Sequence, residues 1–271
     1  MMDDATIIEN MAAVWRSIER VCAGLDEAQW ALPTDCSDWS VKDNLSHMAG
    51  SESTLLGRPQ PDHTPANAGT LRNSMAERNE VQVDYRRSWP GDAVLEEFRT
   101  VTAARLDALR AMSPDEWGAE SWTPAGPGTY RDFMLIRVFD CWVHEQDMRR
   151  ALGRPGSLEG APAEHAMERI ALAMPYVVGK RAGAPEGASV VFDITSPAPN
   201  TLSIGVEGGR ARPLAPVPEH PTVRLSTDFE TFMCLSCGRW DPATILSEGR
   251  VRISGDEALG RTIVENLNFM M

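Results

Sequence analysis

The chain has 271 residues, of which 42% are hydrophobic and 24% are charged, and its formal net charge is −13 at pH 7. This length favours two domains, each with its own core, and the ordinary composition argues against wholesale disorder. The acidic charge repels phosphate backbones, which argues against nucleic acid as a partner.

The first half of the chain has the pattern of amphipathic helices. Residues 7–25 place apolar side chains three and four positions apart, as one buried helical stripe requires. A second helix is predicted to begin after Ser40, because Asp43 follows three positions later as in a helix N-cap. Further helices are predicted at residues 71–87, 92–112 and 130–152, and turn-rich connections at 57–70 and 121–129. These helices predict an antiparallel bundle.

The spacing of apolar residues changes near residue 185, where short runs of β-branched and aromatic residues begin. Strands are predicted at residues 189–194, 201–206, 222–225 and 250–254, and helices at 164–180, 228–237, 242–248 and 256–269. We therefore expect a two-domain α+β protein, with a helical domain at 1–160 and a small α+β domain at 161–271.

Three residues of the helical half suggest a metal site. Asp140 and His144 are four positions apart on one predicted helix, so both side chains leave the same face and can reach one ion. His47 lies on another helix of the same bundle, and facing helices commonly complete such sites. Two imidazoles and one carboxylate leave a coordination position open, as in catalytic zinc sites, and also suit nickel, iron or manganese. A chance Asp/His spacing is the alternative.

Two stretches carry a family resemblance. Residues 38–50 (DWSVKDNLSHMAG) and 137–153 (RVFDCWVHEQDMRRALG) resemble the two signatures of the actinobacterial mycothiol-dependent maleylpyruvate isomerase family, which belongs to the DinB-like metal-binding helical bundles. Residues 240–256 resemble the sterol-carrier-like domain of the same family. The resemblance thus covers nearly the whole chain, and it implies an antiparallel four-helix bundle followed by a sterol-carrier-like domain.

The resemblance also implies a ligand set. It maps the metal, with zinc as the preferred ion, onto His47, Asp140 and His144. The isomerase carries glutamate where this chain has Asp140, which is one methylene shorter. Asp147 and Glu145 are candidates for orienting an imidazole, because a metal-bound histidine usually donates its other N–H to a carboxylate or carbonyl. Solvated surface charge is the alternative for both.

The activity that the resemblance implies is the use of a low-molecular-weight thiol, mycothiol or another, against a small electrophile. Metal coordination lowers the pKa of a thiol and so makes it a nucleophile at neutral pH. An isomerase would add the thiol to a conjugated double bond and release it after rotation, whereas an S-transferase would keep the adduct. Arg250 and Arg252 are candidates for binding a substrate carboxylate; ordinary exposed strand arginines are the alternative.

Two other classes of function remain open. The sterol-carrier-like domain could carry a small apolar ligand or lipid while the metal site is structural or vestigial. A regulatory metal or redox module is also possible, since Cys234 and Cys237 form a CxxC pair, although an apolar helical setting favours packing for both.

The remaining features set the compartment and the packing. No apolar run reaches the roughly 18 residues of a membrane span, the first ten residues do not resemble a signal peptide, and the five cysteines are odd in number and scattered. We expect thiols in a cytoplasmic protein with no membrane partner, as a monomer or a homodimer. Cys141 is expected to pack, and exposed positions are expected for His63, His165 and His220.

Overall fold

The computed structural model describes residues 2–68 and 73–270. The chain separates into two compact units between Ser157 and Leu158. No helix within the described residues combines the length and the apolar character that crossing a bilayer requires. Both the helical first unit and the mixed second unit agree with the predicted α+β class.

Helices make up most of the described residues of the first unit. They are α1 (Asp4–Cys22), α2 (Glu27–Trp30), α3 (Val41–Leu55), α4 (Ser74–Arg86), α5 (Gly91–Ala111), α6 (Pro114–Gly118) and α7 (Tyr130–Ala151), of which only α2 and α6 have five residues or fewer. Among the longer helices, α1 and α7 pack against each other, α3 packs against α5 and α7, and α1 also contacts α5.

Local caps set where the two helices of the candidate site begin. At α3, Ser40 accepts from the backbone N–H of Asp43 while the Asp43 side chain accepts from the backbone N–H of Ser40. At α7, Thr129 and Asp132 form the same reciprocal cap. The predicted start after Ser40 is therefore confirmed, and the register of each helix is fixed one or more turns before its candidate ligand.

The connection predicted as turns at 121–129 is a β-hairpin. Strands β1 (Glu120–Thr123) and β2 (Gly126–Thr129) pair antiparallel, with Thr123 opposite Gly126. The prediction missed them because each strand has only four residues and glycine and proline dominate the second. Residues 69–72, which include the end of the predicted loop and the start of the predicted third helix, lie outside the described residues.

The described residues of the second unit are built around a five-stranded mixed sheet. Its strands are β3 (Ser189–Ile194), β4 (Asn200–Glu207), β5 (Arg210–Pro213), β6 (Val223–Thr227) and β7 (Arg252–Gly255). Their order in the sheet is β5-β4-β3-β6-β7. The central strand β3 pairs antiparallel with β4 and parallel with β6, and Phe192 of β3 lies opposite Leu225 of β6.

Helices precede and follow the strands of this unit. They are α8 (Ala161–Tyr176), α9 (Phe229–Ser236), α10 (Pro242–Ser247) and α11 (Glu257–Glu265). The predicted helix at 164–180 is α8 followed by a π-helical segment, Val177–Arg181. Strand β5 was not predicted because alternating arginines hide its pattern. The core of the unit is apolar, and Phe192 packs against Phe232 with ring centroids 5.6 Å apart.

Candidate metal centre

The three predicted ligands converge between α3 and α7. His47 Nε2 lies 3.3 Å from Asp140 Oδ2, and His144 Nε2 lies 3.6 Å from Asp140 Oδ1. One ligand atom from each residue lies within 4.8 Å of the other two. The two imidazoles therefore present the same type of nitrogen to opposite oxygens of one carboxylate, an arrangement that suits a single cation bound by nitrogen and oxygen donors.

Burial and charge shape the titration of the three groups. Burial lowers the pKa of His47, although the carboxylate of Asp140 opposes the shift. For His144 burial acts in the same direction, but the charges and hydrogen bonds of Asp140 and Asp147 outweigh it and raise the pKa. Burial alone would raise the pKa of Asp140, yet Arg137 and the two imidazoles hold it well below its usual range. The carboxylate is therefore ionised and available as a ligand.

Asn44 determines which nitrogen of His144 carries the proton. Its Nδ2 donates to the backbone oxygen of Ser40 at 2.9 Å and to Thr34 Oγ1 at 3.0 Å, which orients the amide. The opposite end, Oδ1, lies 2.7 Å from His144 Nδ1, so the amide oxygen accepts and the ring nitrogen donates. In the neutral imidazole, Nε2 then presents a lone pair toward Asp140.

The lone pair on His144 Nε2 shows whether the site suits a cation. A lone pair that faces a carboxylate oxygen at 3.6 Å is unfavourable unless a proton or a metal ion lies between them. His47 differs, because its Nε2 can donate to Asp140 Oδ2 at 3.3 Å, while its buried Nδ1 has no hydrogen-bond partner among the described residues. The donor set and its orientation therefore fit a divalent ion.

The two acidic candidates for orienting an imidazole behave differently. Asp147 Oδ2 lies 3.4 Å from His144 Nδ1, and Asp147 Oδ1 accepts from Arg150 Nη2 at 2.6 Å. Glu145 instead accepts from Ser17 Oγ and from Arg149 Nε, both at 2.7 Å. Both carboxylates are buried, so the alternative of solvated surface charge is wrong for this pair. Asp147 is the one positioned to support an imidazole.

Trp39 covers the two imidazoles. Its ring centroid lies 5.0 Å from that of His47 and 5.6 Å from that of His144, with both pairs tilted. Asp38, immediately before it, has φ 68°, a left-handed conformation that aspartate tolerates better than most residues. Thr34 closes the loop, because its backbone N–H and its hydroxyl both donate to the backbone oxygen of Trp39. The indole thus forms one wall of the site.

Models of known protein families match both halves of the chain. A family model described as the mycothiol maleylpyruvate isomerase N-terminal domain matches residues 11–149, slightly more than half of the chain. The chain belongs to this family. A second model, the SCP-2 sterol transfer family, matches residues 180–267. No curated protein sequence matches the chain.

Solved structures of the mycothiol-dependent maleylpyruvate isomerase have a similar fold. One crystal structure of it gives a TM-score of 0.60 at 19% identity and covers 93% of each chain. A second, of a variant in which one histidine is replaced by alanine, gives 0.58 with the same identity and coverage. At this identity the likeness concerns the fold alone, and it extends over both units of the present chain.

The two arginines proposed from the family resemblance lie in the second unit. Arg250 stacks its guanidinium 4.1 Å from the Trp240 ring and donates to Thr231 Oγ1 at 2.8 Å. Arg252 is exposed on β7, where it pairs with Ser226 across the sheet. A role for either arginine stays a prediction.

Other sequence predictions have mixed outcomes. His165 is buried rather than exposed, because α8 packs its apolar side inward and carries this residue with it. His63 is partly exposed and lies 2.7 Å from Asp84, and His220 is exposed as predicted. Cys141 is fully buried, which raises the pKa of its thiol to about 12 and agrees with a packing role. Cys234 and Cys237 are buried as well.

Sequence reasoning missed several residues of the site. Asn44, Trp39 and Arg137 all lie inside the two family signatures, but nothing in the spacing shows that they contact the ligands. Glu52 lies outside both signatures, and its only signal is a charged residue on the buried side of α3, five positions after His47.

Proposed function

We propose that this chain is a divalent-metal-dependent enzyme that uses a low-molecular-weight thiol, as an isomerase or an S-transferase acting on a small electrophile. Mycothiol is the thiol named by the family. The observation that carries the proposal is the convergence of two imidazole Nε2 atoms on one ionised carboxylate.

His47, Asp140 and His144 would hold the ion, for which zinc suits the two nitrogen donors and one oxygen donor. Once bound, such an ion would supply a Lewis acid that lowers the pKa of a coordinated thiol and leaves a position for it to occupy. Three protein ligands leave that position vacant, which is the difference between a catalytic site and a closed structural one.

The surrounding residues would prepare this site. Asn44 and Asp147 hold the His144 ring so that Nε2 points at the carboxylate. Trp39 shields the imidazoles on one side, which limits access of water and strengthens the electrostatic interactions at the site. Arg250 and Arg252 are the proposed partners for a substrate carboxylate; Arg250 would have to exchange its bond to Thr231 for that role.

The proposal also assigns each of the two units to a fold type. We assign α1, α3, α5 and α7 to a DinB-like antiparallel four-helix bundle in a domain of residues 1–160, and residues 161–271 to a sterol-carrier-like domain. The contacts of α3 with α5 and α7, and of α1 with α5 and α7, support this assignment.

Metal analysis of purified protein tests the proposal. We expect about one divalent ion per chain in the wild type and loss of that ion in both His47→Ala and His144→Ala. His220→Ala is the matched control, because His220 is exposed in the second unit and should leave the metal content unchanged. Consumption of a thiol in the presence of a small electrophile should stop after chelation and return when zinc is restored. A wild type that holds no ion would overturn the proposal.

A carrier function is the second candidate, favoured by the match of residues 180–267 to a sterol transfer family. It predicts that a fluorescent lipid binds equally well before and after chelation. One open groove of the second unit has charged side chains along it, including Glu186, Arg210 and Arg212, which is poor chemistry for an apolar ligand. Lipid binding that survives chelation, without any thiol consumption, would favour the carrier.

A further inference from the structure

A chain of buried charges runs from the interior of the first unit to the candidate metal centre. Glu52 of α3 has no solvent exposure, and the side chains of Arg105 and Arg137 are 3% and 8% exposed. Arg105 Nε donates to Glu52 Oε2 at 3.0 Å, and Arg137 Nη2 donates to Glu52 Oε1 at 2.7 Å. Arg137 then reaches Asp140, with its Nη1 2.5 Å from Oδ2.

This arrangement needs a reason beyond stability. Burying charges costs free energy that their mutual attraction often fails to recover, so apolar residues of similar volume commonly serve a core equally well. Here two arginines from α5 and α7 alternate with two carboxylates from α3 and α7, and the last carboxylate is a proposed ligand. The position of Asp140 at the end of the chain of charges suggests that the network serves this residue.

The planar shape of the arginine guanidinium explains how the network can position Asp140. The guanidinium of Arg137 uses Nε and Nη2 for Glu52 Oε1 and Nη1 for Asp140, so Glu52 fixes its plane and thereby the place of the Asp140 carboxylate. Nη1 donates to Oδ2, which also lies 3.3 Å from His47 Nε2. Oδ1, which faces His144 Nε2 at 3.6 Å, receives no hydrogen bond from Arg137.

We infer that Arg137, clamped by Glu52, is a positioning residue that orients Asp140 as a ligand through a single oxygen, Oδ1. The inference rests on the proposed function, since it concerns the same ion.

Substitution of Arg137 by lysine tests this inference, because lysine keeps the positive charge but cannot clamp two carboxylates in one plane. We expect Arg137→Lys to weaken zinc affinity by about 10- to 100-fold in a chelator competition, the usual effect of removing a residue that supports a ligand. Arg131→Lys is the matched control: Arg131 lies on the same helix and grips Asp4 through Nε and Nη2, away from the centre. Its zinc affinity should equal that of the wild type.

The visible absorption spectrum of the Co²⁺ protein provides a second measurement. A purely structural role of Arg137 would leave this spectrum unchanged. With Oδ2 released, Asp140 can bind through both oxygens, so the coordination number rises and the visible bands of the Co²⁺ protein should weaken and shift in Arg137→Lys. Glu52→Gln, which removes the negative charge and one of the two acceptor oxygens that hold Arg137 and Arg105, should show the same change in direction. Either variant suffices if the other does not fold, as judged by thermal unfolding.

The outcomes separate the two proposals. A wild type that takes up no zinc or cobalt overturns the proposed function and this inference together. A wild type that binds the ion, with zinc affinity in Arg137→Lys within twofold of the wild type and an identical cobalt spectrum, overturns the inference alone.

Discussion

The indole Nε1 of Trp39 donates to Oε2 of Glu80 at 3.2 Å, which ties the wall of the candidate centre to α4. Glu80 is buried and also accepts from Asn67 Nδ2 at 3.3 Å and pairs with Arg87 Nη1 at 2.7 Å. One carboxylate thus joins the loop that carries Trp39 to the loop after α3.

Trp39 should therefore report occupancy of the centre. Quenching by a coloured, paramagnetic ion falls steeply with distance, and Trp39 lies within 6 Å of both imidazole rings. We expect Co²⁺ to quench the tryptophan fluorescence of the wild type and to quench Trp39→Phe less. Trp122→Phe, at an exposed position on β1, is the control and should retain wild-type quenching. Equal quenching in all three proteins would contradict the placement of the ion beside Trp39.

Two substitutions at Asn44 should separate its roles as acceptor and donor. Asn44→Ala removes the oxygen that fixes the His144 tautomer, so zinc affinity should fall by about tenfold or more. Asn44→Asp keeps an oxygen toward His144 but loses the donors to Ser40 and Thr34, so it should retain zinc and unfold at lower urea. Chelator competition and urea titration measure the two effects. Loss of zinc in the aspartate variant equal to that in the alanine variant would disprove this division of roles.

Cys22 should make stability depend on alkaline pH. Burial in α1 raises the pKa of its thiol from 9.0 to about 12. Since the unfolded chain loses this proton near pH 9 and the folded chain keeps it, the thiol's contribution is intact below pH 9 and is lost between 9 and 12. Each pH unit in that window removes about 1.4 kcal/mol of unfolding free energy per thiol. Urea unfolding of wild type and Cys22→Ala, at pH 8 and pH 10, should show the steeper decline in the wild type; parallel declines would refute it.

Gly91 should tolerate no side chain. A Cβ built there would lie 2.1 Å from Cδ1 of Trp30, a buried ring with little room to move. Gly91→Ala is expected to cost about 1 to 3 kcal/mol of unfolding free energy through overpacking. Gly118→Ala, where a Cβ meets nothing within 4 Å, is the matched control and should be neutral or slightly stabilising. Denaturant titration of both variants checks the difference, and equal stabilities would show that the Trp30 side chain can yield.

Much of the fold was predictable because its signals are local. Apolar spacing located α1 and α5, a run without glycine or proline located α7, and the Ser40–Asp43 pair placed the start of α3. All of these signals come from residues within a few positions of each other. The hairpin of β1 and β2 and the edge strand β5 were missed, because four-residue strands rich in glycine, proline or arginine have no clear period. The three proposed ligands were found by spacing and family resemblance, and they do lie together.

What sequence alone determined is that long helices form near α1, α3, α5 and α7, and which side chains of α3 and α7 could face a common ion. Tertiary structure decided how those side chains are held, through contacts between residues far apart in the chain: Asn44 with His144 across 100 positions, and Glu52 with Arg137 across 85. The reason is physical. Helix periodicity and capping arise from neighbouring residues, whereas the orientation of a buried imidazole or carboxylate depends on polar groups that packing brings to it from other helices.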